Sequence, residues 1–481
     1  MPVQPRTTPG VLELTPANQI MFQRMLDTIR RGFERFGFLP IETPTFELVD
    51  VLLTKTGGET EKQVYFVQNT GSLEKGSPPE LALRFDLTVP LARYVAEHEK
   101  ELNFPFRRYQ IQRVYRGEHA QRGRFREFYQ CDIDVIGKDT LSIAYDSEIP
   151  AVIYGVFAEL AFGKFTIFVN NRKLLRGLLE LFEIPEEAHT AVLHDVDRLR
   201  KIGRVKVEAM LSVAKDDKPA PITPHQAQLL LDVLTAPWSG VVADLRSRQS
   251  IPPILLEGLS QLETVYRQTL ALGVPAEFIQ VDLSIVRGLD YYTGTVYETF
   301  LDEHPDYGSI CSGGRYENLA GLYTTSKLPG VGISIGATRL FSQLLDAQVA
   351  ARKAELKKPK DQQNAAIAAV TKRSTAHVII LNADANLAAE YAKLAAELRT
   401  AGLNVEVYGE QTGIGPQFKY ADATGIPLSI LLGAREREAG TVKLSDLRIP
   451  FDPKITKDQN KALTETIVPR ADVVAAVRAK L

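Results

Sequence analysis

Two extended runs, Tyr109–Arg116 and Phe128–Ile136, flank the polar stretch EHAQRGRFRE, and this pairing constrains the fold more than any other feature. The pattern predicts a long antiparallel hairpin. In its second arm the period-two alternation puts Gln130, Asp132 and Asp134 on one face and Tyr129, Cys131, Ile133 and Val135 on the other. One face suits a hydrophobic core and the other a polar pocket. A chain with this hairpin must build a sheet, and an all-helical or fibrous fold is excluded.

With 481 residues, the chain is long enough for two to four domains at roughly 150 residues each. Hydrophobic residues are 44% and charged residues 24%, the balance of a globular protein, and no apolar run reaches the roughly 18 residues of a membrane span. The opening MPVQPRTTPG has no basic region followed by an apolar run, so no secretory signal is expected. Residues 15–36 read as an amphipathic helix with Thr15 as N-cap and Pro16 at its first position. Residues 171–280 are mostly helical in pattern, strand-like patterning resumes at 281–300, and 350–375 has a polar, basic linker composition. After it HVIIL, a helix at 386–401, NVEVYG, a helix near 415–424 and LSILLG predict a compact α/β domain over 376–481. Cys131 and Cys311 sit in no metal-ligand cluster and are expected as reduced, buried thiols.

The formal net charge is −2, so attraction for nucleic acid must come from a local patch. Such a patch lies between 107 and 126, where Arg107, Arg108, Arg113, Arg116, Arg122, Arg124 and Arg126 stand with Glu118 as the only acid. A charge run can be a solvated face, but these are all arginines, whose planar forks suit bidentate phosphate binding, and they share a hairpin with Gln130 and Asp134. Two further arginines are well placed. Arg339 follows the strand VGISI and falls in the first turn of the next helix, where backbone amides favour an anion. Arg287 closes a strand and enters GLDYYTG. There is no GxxxxGK[ST] loop, no GxSxG elbow and no HExxH, and GVGISIG at 330–336 has the wrong spacing for a dinucleotide fingerprint. Separated arginines without an enzyme nucleophile point to phosphoryl chemistry done by positioning and charge stabilisation.

Six segments carry a resemblance. RGLDYYTGTVYE at 287–298 and LRFDLTVPLARY at 83–94 resemble the two signature peptides of the histidyl-tRNA synthetase family, a class II aminoacyl-tRNA synthetase family. FLPIETPTFE at 38–47 is similar to class II motif 1, with Pro44 as its proline, VYRGEHAQRGRFREFYQCDID at 114–134 to motif 2 and GVGISIGATRL at 330–340 to motif 3. QFKYADATGIP at 417–427 resembles the family's C-terminal domain. The resemblance implies an α+β fold: a class II catalytic domain, an antiparallel sheet flanked by helices, with a helical insertion and a C-terminal α/β anticodon-binding domain. The expected division is 1–170 and 281–349 for the catalytic domain, 171–280 for the insertion, 350–375 for the linker and 376–481 for the anticodon-binding domain.

Roles follow from the resemblance, motif by motif. Arg116 would bind the α-phosphate of ATP, Glu118 its adenine end, Arg124 the nucleotide again and Arg339 the outer phosphates. Arg287 would brace the α-phosphate and the histidine carboxylate, and with Arg116 would be catalytic. Asp86, Thr88 and Gln130 would hold the α-amino group, Asp134 and Tyr292 would read the imidazole nitrogens, and Tyr291 would line the pocket. Gln121 and Arg122 would face the acceptor end of tRNA. The family further implies ATP as substrate with Mg²⁺, L-histidine and tRNA(His) as partners, a homodimer joined at motif 1, and a cytoplasmic location with no membrane contact; no protein metal site is expected. Two departures stand out: Asp86-Leu87 where many bacterial members read Glu-Gly, and Thr338 where Glu is common. The alternative is a non-catalytic paralogue acting as a histidine-sensing or regulatory subunit; that relative lacks the anticodon domain and degrades the catalytic peptides.

Overall fold

The structure, a computed structural model, describes residues 3–53, 63–119, 123–213, 220–286, 292–359, 373–449, 452 and 454–481. The chain forms two compact units, one of residues 1–13 and 25–350 and one of residues 14–24 and 351–481. Of the expected linker, residues 360–372 lie outside the described residues. Among the described residues no helix is long and apolar enough to cross a membrane.

Sixteen strands are described: β1 (Leu39–Pro40), β2 (Phe46–Leu48), β3 (Phe66–Val67), β4 (Leu81–Leu83), β5 (Phe106–Tyr115), β6 (Glu127–Ile136), β7 (Phe165–Asn171), β8 (Ile279–Val281), β9 (Thr295–Leu301), β10 (Cys311–Tyr316), β11 (Gly330–Gly336), β12 (Val378–Leu381), β13 (Val405–Val407), β14 (Leu428–Leu431), β15 (Thr441–Asp446) and β16 (Glu465–Pro469). The first unit is built on an eight-stranded sheet in the order β1-β5-β6-β11-β10-β9-β7-β8. Its central pairings are antiparallel, and only the edge strands β1 and β8 run parallel to their neighbours. The hairpin β5/β6 forms as its alternation requires: Cys131, Ile133 and Val135 are fully buried on the core face. The polar face is covered too, with Asp132 and Asp134 only 2% and 4% exposed. Burial on both sides is the signature of a central strand. The two cysteines are free and buried.

The strand expected to run up to Arg287 stops early. β8 ends at Val281, and the backbone then turns because the Asp282 carboxylate accepts from both the Ser284 amide (2.9 Å) and its hydroxyl (2.6 Å). Such a local side-chain acceptor offers the backbone a partner other than the sheet. The carbonyls of Leu283 and Ile285 are taken by the buried Asn170 amide at 3.1 and 2.8 Å.

Between β7 and β8 the chain is helical, from Arg172–Leu181 to the long helix Pro253–Ala271, with residues 214–219 outside the described set. The motif 1 segment, 38–47, begins on β1 of the large sheet and runs into β2 of a separate three-stranded sheet, β2-β4-β3. The second unit holds a five-stranded sheet, β13-β12-β14-β15-β16, parallel over its first three strands and antiparallel beyond. The run VIIL of β12 is buried on both faces, Val378 and Ile380 in one cluster and Ile379 and Leu381 in another. The helix Ile414–Thr424 ends at Gly425, whose φ of 77° terminates it in the left-handed region.

Candidate active site

The polar face of the hairpin is a ladder three strands wide. Across β5, β6 and β11 the register aligns Arg108 with Asp134 and Gly332, Gln110 with Asp132 and Ser334, and Gln112 with Gln130 and Gly336. Residues directly opposite share a face, so these side chains crowd one patch. Gly332 must be glycine: a Cβ there would collide with the Asp134 carboxylate. Gly330 likewise leaves room for the ring of Tyr316.

Three buried carboxylates surround one buried guanidinium. Asp134 pairs with Arg108 at 2.5 Å and accepts the Tyr316 hydroxyl at 2.9 Å. Burial still lifts its pKa to about 6, against the pull of Arg108 and Tyr316. Asp132 is pushed up to about 7, chiefly by burial, with neighbouring Asp134 and Asp86 adding to the rise and Arg108 and a Ser334 hydrogen bond opposing it. Asp86 reaches about 6, again through burial, opposed by the backbone amides of Val89 and Thr88 and by Arg116. Its Oδ1 accepts the Val89 amide at 3.1 Å, in the first turn of the helix Thr88–Glu97. Four acceptor oxygens here, Asp86 Oδ2, Gln110 Oε1, Gln130 Oε1 and Asp132 Oδ1, are buried without a hydrogen-bond partner among the described residues. A buried acceptor left unpaired costs about 1–3 kcal/mol, so the patch is built for a donor-rich cation that enters it.

The patch opens into a cleft of about 390 Å³ lined by Arg116, Glu118, Arg124, Gln130, Ser334 and Arg339, among others. Arg116 is held from two sides: its Nε donates to the Phe85 carbonyl at 3.0 Å, and its guanidinium lies 5.1 Å from the Phe128 ring centre. Arg124 pairs with Glu118 at 3.1 Å. Arg339 stands in the first turn of the helix Ala337–Glu355 and donates to the Tyr307 carbonyl. Just before it, the departure Thr338 is buried and its hydroxyl accepts the Tyr129 amide at 2.8 Å, tying that helix to β6.

Of the residues singled out in the sequence, Arg116, Glu118, Arg124, Gln130 and Arg339 meet in this cleft. Asp86 and Asp134 share the buried patch, both feeling Arg108. Thr88 opens the helix that follows Asp86. Tyr292 packs in the apolar cluster around Leu91, Phe106 and Tyr316, and its carbonyl accepts from Arg172 at 3.2 Å. Arg287, Tyr291, Gln121 and Arg122 lie outside the described residues. Sequence reasoning singled out none of Asp132, Tyr316 and Ser334, and counted Arg108 only in the arginine patch, whereas it is buried and paired with Asp134. The alternation had already put Asp132 on the polar face; carrying it across to β5 would have flagged Arg108.

The chain matches the family model for histidyl-tRNA synthetase over residues 10–340 and that for an anticodon binding domain over residues 375–479. It is 52% identical over 463 residues to the histidine–tRNA ligase of Xanthomonas campestris pv. campestris, covering 92% of each chain. To that of Xylella fastidiosa it is 51% identical over 486 residues, 98% of this chain and 100% of the relative. Among solved structures it is similar to the histidyl-tRNA synthetase of Nostoc sp. PCC 7120, with a TM-score of 0.84, 38% identity and full coverage of both chains. It shares its fold with an ATP phosphoribosyltransferase regulatory subunit/histidyl-tRNA synthetase from Bacillus halodurans, at a TM-score of 0.68, 19% identity and coverage of 87% of this chain and 97% of that one. The chain therefore belongs to the histidyl-tRNA synthetase family, class II aminoacyl-tRNA ligases with a catalytic domain on an antiparallel sheet and a C-terminal anticodon-binding domain.

Proposed function

We propose that the cleft condenses L-histidine with ATP and that the chain then passes the histidyl group to the 3′ end of tRNA(His). One observation carries this reading: arginines at the mouth of a single cleft adjoin a buried, acid-rich floor with unpaired acceptors. The floor takes the amino acid. Its ammonium answers the free oxygens of Asp86 and Gln130, with Thr88 beside them. Its imidazole donates to Asp134, whose carboxylate is already braced by Arg108 and Tyr316. Tyr292 reads the other ring nitrogen and Tyr291 lines the pocket. A site that hydrogen-bonds its substrate this fully rejects analogues lacking those groups by roughly ten-thousand-fold or more.

The mouth takes ATP, entering as its magnesium complex, so that Mg²⁺ comes with the substrate. Arg116 and Arg287 meet the α-phosphate, Arg339 the outer phosphates, and Glu118 and Arg124 the adenine end. The histidine carboxylate attacks the α-phosphorus, forming a C–O–P bond as the bond to pyrophosphate breaks in line. Negative charge growing on the phosphoryl oxygens is met by guanidinium groups held in advance. A ribose hydroxyl of tRNA then attacks the activated carbonyl and AMP departs. Gln121 and Arg122 face the acceptor end, and the second unit binds the anticodon.

A second copy of the chain covers the three-stranded sheet at the end of motif 1, where Phe46, Leu48 and Phe66 are about half exposed on short strands. The protein works in the cytoplasm with the rest of translation. The regulatory alternative is disfavoured by the anticodon-binding domain and by Arg116, Arg287 and Arg339, all present in the chain. The test is histidine-dependent exchange of labelled pyrophosphate into ATP. The wild-type protein supports it, and Arg287→Ala keeps its thermal melting but loses exchange; near-normal exchange in that variant would remove Arg287 from the mechanism.

A further inference from the structure

Asp132 is a buried carboxylate that the reaction as written does not use. It sits between two better-explained neighbours, Gln130 and Asp134, and its register partner on β11 is Ser334. Ser334 lies between acid and amide: the Gln130 Nε2 donates to the Ser334 Oγ at 2.6 Å, and Ser334 stands directly opposite Asp132 across the two strands, where its hydroxyl helps hold the Asp132 pKa down. The residue opposite Gln130 on β11 is Gly336, so no side chain at that position blocks the diagonal contact. A serine hydroxyl has a single proton and two lone pairs. With an ammonium bound beside it Asp132 is ionised and can only accept, so the proton goes to Asp132 and a lone pair faces Gln130. The Gln130 amide must then turn its NH₂ toward Ser334, which leaves its carbonyl oxygen inside the site. That oxygen is one of the buried acceptors without a partner.

We propose that Asp132 is a positioning residue: through Ser334 it fixes the Gln130 amide so that a carbonyl oxygen, and not an NH₂ group, faces the α-ammonium of the bound amino acid. The proposal rests on the reading of Asp86 and Gln130 as the ammonium site. Without Asp132 the Ser334 hydroxyl is free to turn its proton to the glutamine oxygen. The amide then rotates and presents a donor to a donor. The ammonium loses a charge-assisted hydrogen bond, which in a buried site corresponds to about tenfold or more in affinity.

The experiment compares L-histidine with imidazolepropionate, which keeps the ring and the carboxylate but lacks the ammonium, by calorimetric titration of the full-length protein. The readout is the ratio of the two Kd values. Ser334→Ala and Asp132→Ala each reduce the preference for histidine about tenfold, and imidazolepropionate binding stays unchanged. The double variant loses no more than either single one, because both act along one chain of contacts. Ser334→Thr keeps a hydroxyl and holds the ratio near that of the wild type. In pyrophosphate exchange, Ser334→Ala raises KM for histidine and leaves kcat close to its starting value.

An unchanged ratio in Ser334→Ala, an equal loss for both ligands, or additive losses in the double variant would each overturn the relay. If Asp132→Ala does not fold, the pair Ser334→Ala and Ser334→Thr decides alone. A wild-type protein with no preference for histidine over imidazolepropionate would instead sink the ammonium site itself, a separate and visible failure.

Discussion

Two arginine–aspartate pairs are buried against the large sheet, one of them through Asp146 of the helix Ala144–Leu160, and they are finished differently. Arg315 and Asp146 meet at 2.6 Å, with Nε adding bonds of 3.1 and 3.0 Å to the same carboxylate. The same Arg315 Nη2 also reaches the carbonyls of Leu141 (3.1 Å) and Ser142 (3.0 Å), and Asp146 accepts from Thr295 at 2.7 Å. Tyr297 closes the group with a bond to the Asp146 backbone. Arg108 and Asp134 make one ion pair, beyond which the Arg108 guanidinium has no hydrogen-bond partner among the described residues, and two more acids stand close by. A saturated network stiffens a fold, and a half-satisfied one is tolerated where a ligand completes it. The first pair reads as scaffold and the second as a receptor held open.

The largest effect separates the two directly. Removing one partner of a saturated buried pair strands a charge, so Asp146→Ala costs about 3–5 kcal/mol in urea unfolding. Asp134→Asn costs far less, because Asp132 and Asp86 remain to balance Arg108. Equal losses in the two variants would abolish the distinction. Next in size is the mouth. Arg116→Ala lowers pyrophosphate exchange by roughly a hundredfold to a thousandfold, the scale for a charge stabiliser of a transition state. Its melting temperature moves little. A drop in stability matching the drop in rate would assign Arg116 to the scaffold instead.

The surplus of acid on the floor has a pH signature. Asp132 titrates at about 7 when folded, and Asp86 and Asp134 at about 6. Free aspartate titrates at about 3.9. A raised pKa means that the folded state holds the proton longer. The contribution of these groups to stability is therefore complete below about pH 4 and is lost as pH rises to about 7. The protein without ligand should lose roughly 4 kcal/mol through this window from Asp132, and Asp132→Asn should flatten that part of the slope. Saturating histidine should flatten it as well, since an ammonium favours the ionised acids. Parallel slopes for wild type and variant would mean that Asp132 is not strained in the empty site.

How much of this was legible beforehand differs between the same two regions. The hairpin was, to within three residues at each end, because alternation over its second arm leaves few options for a sheet. Helix ends with strong punctuation were also readable: Pro16 starts the first helix and Arg35, two residues before Gly37, ends it. Pairings across strands were not. That Arg108 faces Asp134 depends on register across an eleven-residue connection, which no local turn rule fixes. Asp146 and Arg315 lie 169 residues apart, and nothing in either local sequence names the other. The strand expected before Arg287 failed for the opposite reason, since a single Asp282 carboxylate outweighed the β-forming run around it.

The smallest effect sharpens the contrast at the solvent edge. Arg124 is 54% exposed, and its ion pair with Glu118 at 3.1 Å is of the kind that contributes at most about 1 kcal/mol. If the pair were scaffold, Arg124→Ala would cost a little stability and nothing else. If Glu118 and Arg124 exchange each other for the nucleotide, the variant should keep its stability to within about 0.5 kcal/mol and raise KM for ATP several-fold. KM for histidine should stay put, because the amino acid sits on the buried floor. The ATP effect should also shrink in high salt, as an exposed charge contact must. A variant with unchanged KM for ATP at low and high salt would leave Arg124 as an ordinary surface arginine and move the inner boundary of the nucleotide site back to Arg116.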